Sequence, residues 1–145
     1  MIRAEVSTTI KRPIEEVFAL MSDASNRPKW MSGVSEFTKT SDGPIGVGTT
    51  WHGAGRFLGR RMESDAEYTE FEANRMFSTK APSPFPNTMA FTFESVADGT
   101  RVNQTVDAEP GGFFKLAGPL LASAVKRQFQ SDLDNLRDLM EGDAL

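Results

Sequence analysis

Residues 119–140, PLLASAVKRQFQSDLDNLRDLM, decide how the rest of the chain must be arranged. On a helical wheel started at Leu121, Val125, Phe129, Leu136, Leu139 and Met140 fall in one apolar arc, with Ala122 and Leu133 inside it. Lys126, Arg127, Gln130, Asp134, Arg137 and Glu141 occupy the opposite arc. The stretch predicts a long amphipathic helix. Pro119 behind Gly118 suits its first turn, where an N–H would have no partner anyway. Asp132 also falls within the apolar arc and is assigned to its polar edge, in line with Gln128 and Asn135. Buried, it would need a partner or would shift towards its protonated form. The apolar face needs a cover, and what precedes it reads almost entirely as strand. A single long helix lying in a curved sheet is the expected architecture.

The chain has 145 residues, the size of one domain that buries roughly two-thirds of its unfolded surface, so a single domain spanning 1–145 is expected. It has no cysteine, which excludes disulfides, thiolate metal sites and a cysteine nucleophile, and fits a reducing compartment such as the cytoplasm. A net charge of -4, from 16 basic and 20 acidic residues, offers no footprint for nucleic acid or anionic membranes. The first residues enter an alternating pattern without the apolar core of a signal peptide, and no apolar run reaches membrane-spanning length.

Ile2, Ala4, Val6, Thr8 and Ile10 alternate with polar neighbours, predicting a strand with one buried face. A helix opened by Pro13 follows, with Glu15 and Glu16 in its first turn and Ile14, Val17, Phe18 and Met21 on its apolar side. Lys29-Trp30-Met31 suggests a second short helix before a strand at Val34 to Thr40, and Gly46-Val47-Gly48 then turns the chain. With Leu58-Gly59 as a two-residue hairpin loop, Phe57 faces Arg60, Gly55 faces Met62, Gly53 faces Ser64 and Trp51 faces Ala66. That register puts Thr50, His52, Ala54 and Arg56 on a wet face against Arg61, Glu63, Asp65 and Glu67. A fifth strand is expected at Arg75 to Ala81, followed by the stiff loop Pro82 to Asn87. Asp98-Gly99 then predicts a second hairpin in which Phe93 faces Gln104 and Phe91 faces Val106. Pro110-Gly111-Gly112 ends the sheet and releases the chain to the long helix.

The order strand, two short helices, six strands, long helix resembles the helix-grip fold of the START-like and polyketide cyclase or dehydrase superfamily. The resemblance spans nearly the whole chain: Pro13-Ile14-Glu15-Glu16-Val17-Phe18, Trp30, Gly46-Val47-Gly48, Asp98-Gly99-Thr100-Arg101-Val102, and the helix beginning near Pro119. It implies an α+β fold, a curved antiparallel sheet of about seven strands wrapped around the C-terminal helix. Members of such families include lipid carriers, aromatic cyclases, quinone-binding proteins and ribosome-associated regulators, so a shared scaffold leaves the activity open.

His52 is the only histidine, and its register places it outside, opposite Asp65, as a surface pair. Glu63, Asp65 and Glu67 share that face with Arg56 and Arg61, which reads as a solvated charged face; neither a metal nor a cofactor is expected. The opposite face groups the small residues Gly53, Gly55, Ser64 and Ala66, ringed by Trp51, Phe57, Met62 and Tyr68. A ligand-sized hollow there, completed by Phe91, Phe93, Val125 and Phe129, competes with a solid core in which large helix residues fill the space. Ser64, Tyr68 and Gln104 would supply specificity, and Phe85 would stand exposed on a flap at the entrance.

Three functions remain open. The first is binding, transport or sequestration of a small apolar or aromatic molecule between sheet and helix. The second is a cyclase or dehydratase that orients a polyketide-like chain, although no base is evident. The third is a protein-interaction module working through Phe85. No motif for phosphate cradling, a nucleophile elbow or zinc is present.

Overall fold

The computed structural model describes residues 2–57, 59–82, 85–109 and 118–145, with Phe57 described by its backbone alone. Strand β1 (Ile2–Ile10) leads into α1 (Ile14–Ser22), a 3₁₀ turn (Ala24–Asn26) and the four-residue α2 (Arg27–Trp30). Strands β2 (Val34–Lys39), β3 (Thr50–Phe57), β4 (Arg60–Glu72), β5 (Met76–Ala81), β6 (Asn87–Val96) and β7 (Gly99–Ala108) precede α3 (Gly118–Glu141). The strands form one seven-stranded sheet in the order β1-β7-β6-β5-β4-β3-β2, every pair antiparallel. Neighbours in sequence pair as a meander, and β1 closes the far edge beside β7. Register shifts at Val34/Glu36 and Tyr68/Glu70 mark bulges, which bend a sheet and increase its twist. The result is a curved sheet gripping one long helix, as the resemblance implies.

Alternation sets which face is buried. In β1 the buried residues are Ile2, Ala4, Val6, Thr8 and Ile10, and the inner face they share with β7 receives α3. The helix buries Leu121, Val125, Asp132, Leu133, Leu136 and Met140. Its C-terminal end is fastened to the β1–α1 turn: Arg12 donates from Nε to the Met140 carbonyl at 3.0 Å and pairs with Asp143, and the Lys11 amide donates to Glu141 at 2.9 Å. A cation at the helix C-terminus is favoured there by the helix dipole.

The β3–β4 register is the expected one, with Trp51 opposite Ala66, Gly53 opposite Ser64 and Gly55 opposite Met62. Leu58 of its loop lies outside the described residues, as do Pro110-Gly111-Gly112 at the end of the sheet. The β6–β7 hairpin differs by two residues. Phe93 faces Val102 and Phe91 faces Gln104, with Ala97 and Asp98 as the turn and Gly99 already in the ladder opposite Val96. The reason lies in the neighbouring strand: Gly99 has φ 155, and a Cβ on it would stand 2.1 Å from the Ile10 carbonyl oxygen. Glycine is needed there both for this positive φ and for the close approach to the end of β1. A shift of two preserves the side-chain faces, so the inward set is unchanged.

Candidate functional site

Two hydrophobic clusters fill the space between sheet and helix. The larger contains Trp30, Trp51, Tyr68, Phe77 and Phe91 together with Leu133, Leu136 and Met140 from the C-terminal half of α3. The smaller joins Ile2, Ala4, Phe85 and Ala108 to Leu121 and Val125 from the N-terminal half. Phe129 packs against both. Between them lies a cavity of about 190 Å³.

The floor of this hollow is a lateral row of small side chains. Antiparallel pairing sets Ala81 opposite Asn87, Asn87 opposite Ala108 and Ala108 opposite Ile2, and the Glu67–Lys80 pair brings Ala66 beside Ala81. Ala66, Ala81, Asn87 and Ala108 all line the cavity. Alanines along one row leave the depth that larger residues would fill. Val125 and Phe129 form the roof, Met89 and Val106 one side wall, and Arg27, Met31, Val34 and Phe37 the end next to α2.

Of the lining residues expected from sequence, Ser64, Val125 and Phe129 lie on the wall. The large aromatics do not. Trp51, Tyr68, Phe91 and Phe93 are packed into the larger cluster, where Phe77 stacks on Phe91 with centroids 5.0 Å apart and Trp51 meets Tyr68 at 5.5 Å. The Tyr68 hydroxyl is committed to the Ser22 carbonyl at 2.7 Å, and burial pushes its pKa up to about 12. Gln104 is fully buried behind the wall, its Nε2 donating to the Met89 sulfur at 3.4 Å and its Oε1 without a partner among the described residues. The side chain of Phe57 lies outside the described residues.

The glycines do not make the hollow. A Cβ on Gly53 would meet the Phe37 ring at 2.5 Å, and one on Gly55 would meet the Gly33 carbonyl oxygen at 2.0 Å. Their small size admits β2 and its aromatic residue, so the space in front of them is already taken. Phe85 also departs from expectation. It is 7% exposed and lines the cavity from within the smaller cluster, so it is no exposed flap residue; Ser83 and Pro84 of that loop lie outside the described residues. Asp132 is more buried than an edge position implies. At 3% exposure, its Oδ1 accepts from the Ser32 amide (3.2 Å), the Ser32 hydroxyl (3.2 Å) and Gln128 Nε2 (2.9 Å). Burial raises its pKa, and those three donors oppose the shift.

Arg27 is the residue that sequence reading passed over. A four-residue helix is too short to define a face by periodicity, and Arg27 sits among turn residues. It is 6% exposed, with its guanidinium carbon 4.6 Å from the centre of the Phe37 ring. Desolvation lowers its pKa.

On the outer face His52 is held by two carboxylates, Nδ1 at 2.8 Å from Asp65 and Nε2 at 3.2 Å from Glu63. These hydrogen bonds raise its pKa, Asp65 contributing more than Glu63. Glu36, His52 and Glu63 each offer a ligand atom within 4.8 Å of the others. Both ring nitrogens of His52 lie within hydrogen-bonding distance of carboxylates on this outer face, an arrangement of a charged, solvated surface. Among the described residues no helix is long and apolar enough to cross a membrane.

A comparison with curated proteins finds no match. Solved structures match in fold. TTHA0849 from Thermus thermophilus superposes with a TM-score of 0.80 at 18% identity, covering 94% of each chain. The di-domain ARO/CYC BexL from the BE-7585A biosynthetic pathway gives 0.77 at 16% identity over 97% of this chain and 47% of that one. The di-domain ARO/CYC StfQ from the steffimycin biosynthetic pathway gives 0.75 at 12% identity, over 99% and 51%. The family profile described as polyketide cyclase / dehydrase and lipid transport matches residues 1–141, so the helix-grip scaffold and its enclosed hollow are those of a chain that belongs to this family.

Proposed function

We propose that this protein binds a small apolar or aromatic molecule in the cavity between sheet and α3, as a carrier or sequestering protein of a reducing, cytoplasmic setting. The observation that carries this reading is the hollow itself, floored by the Ala66–Ala81–Ala108 row and walled by Met89, Val106, Val125 and Phe129. Removing a ligand's apolar surface from water would drive uptake. At about 190 Å³ the space exceeds the ~150 Å³ hollow that admits benzene and falls below the ~300–1,000 Å³ of drug-sized sites. One or two rings fit that range. A cyclase acting on a long polyketide chain is the second reading, favoured by the family description and by the ARO/CYC neighbours. The polar side chains on the wall are those of Arg27, Ser64, Thr79 and Asn87, a set with no carboxylate or imidazole to serve as a base.

Naphthalene binding, followed by amide chemical-shift changes, tests the reading. Wild type is expected to bind it, with shifts concentrated at the alanine row. Val125→Phe fills the roof and is expected to abolish binding without lowering the melting temperature. No shifts in wild type, or unaltered binding in Val125→Phe, would count against the cavity as a binding site.

A further inference from the structure

We propose that the ligand of this cavity is a small aromatic carboxylate whose carboxyl group is held by Arg27. This rests on the cavity reading above and names the class of molecule it takes. Arg27 forms part of the cavity wall, yet among the described residues no hydrogen bond or ion pair reaches its guanidinium, and its Nη2 is buried without a partner. The Tyr68 hydroxyl is directed to the Ser22 carbonyl and the Asp132 Oδ1 accepts from Ser32 and Gln128; neither side chain makes a hydrogen bond to Arg27. The guanidinium stands over the face of Phe37, which attracts a cation but does not replace its hydrogen bonds.

Buried charges in proteins come paired, because an isolated one forfeits its hydration. A carboxylate entering this apolar hollow alone would carry the same penalty. The two groups each supply what the other lacks, and the planar guanidinium suits a two-point contact with a carboxylate. The aromatic part would then lie along Phe37, Met89 and Phe129, which share the wall with Arg27.

Calorimetric titration of the full chain with trans-cinnamate and with its neutral amide, cinnamamide, tests this. Wild type is expected to prefer the acid by about tenfold or more, equivalent to ~1.4 kcal/mol. Arg27→Met is expected to abolish that preference while still binding naphthalene, and Arg27→Lys to retain part of it. Equal or tighter binding of the amide by wild type would overturn the assignment, and so would a preference that survives in Arg27→Met. The acid–amide comparison on wild type stands even if a variant fails to fold. If naphthalene binds but the acid is not preferred, Arg27 alone is misassigned; if neither naphthalene nor cinnamate binds, the cavity reading itself falls.

Discussion

His52 and Asp132 are titratable groups shifted in the same direction by opposite causes. His52 is raised because two carboxylates favour its cation, whereas Asp132 is raised because burial disfavours its anion. For His52 the folded state holds the proton more tightly than the unfolded chain. Its small stabilising effect is therefore complete below the ordinary value of 6.5 and is lost as pH rises through the higher folded value. As the single histidine, it gives an isolated proton resonance whose midpoint is expected above 6.5. His52→Ala should leave ligand affinity unchanged, and a tenfold loss in a folded protein would place the imidazole in the site. Asp132 follows the same sign: ionising it in the fold costs stability as pH rises through its raised value. Asp132→Asn keeps the oxygen that accepts from Ser32 and Gln128 and removes the charge, so its melting temperature should equal or exceed that of wild type. Asp132→Ala strips three donors of their acceptor and should cost about 1–2 kcal/mol. Thermal melts of the two variants separate the charge from the hydrogen bonds.

At the scale of elements, β2 and β3 approach as closely as they do because Gly55 has no side chain. The Gly33 carbonyl occupies the space a Cβ would take, and accepts from the Arg56 amide at 2.8 Å. Gly55→Ala should push β2 away and cost about 1–3 kcal/mol by overpacking, whatever the cavity contains. Gly46 has open space in front of it, and Gly46→Ala should stay within about 0.5 kcal/mol of wild type. Comparable melting temperatures for the two variants would show that β2 can yield at no cost. At the opposite edge of the sheet, the backbone of Ile10 stands where a Cβ on Gly99 would lie.

The molecule as a whole is two packed clusters held apart by a hollow and bridged by α3, whose N-terminal half serves one and C-terminal half the other. Phe85 belongs to the smaller cluster, with Ile2, Leu121 and Val125. Phe85→Ser should therefore lower stability by about 3 kcal/mol or more, on the scale of other buried phenylalanine truncations. A denaturant midpoint unchanged from wild type, with altered ligand on-rate alone, would restore the idea of an exposed flap. A ligand that bridges both clusters should raise the melting temperature with the logarithm of its free concentration above its Kd, because it binds the folded state only.

Periodicity by itself determined the long helix, the inward faces of the strands and the β3–β4 register, because each depends on side-chain direction along one segment or one short hairpin. It also placed His52 outside, and it drew Val125, Phe129 and Ser64 toward the space where the cavity lies. Only the tertiary structure decided what stands in front of each inward residue. Gly53 and Gly55 look vacant in sequence, yet Phe37 and the Gly33 carbonyl come from β2 and the turn before it. The alanines of the cavity floor are dispersed at positions 66, 81 and 108 and become a row only when strand pairing lines them up. The Asp98-Gly99 signal gave way to the approach of Ile10, a partner far away in the chain. Arg27 had no local pattern to mark it, since its burial depends on Phe37 and on a cavity lined from six strands and from α2 and α3. Direction is a local property of the backbone, whereas occupancy of the space ahead depends on residues brought there by the fold.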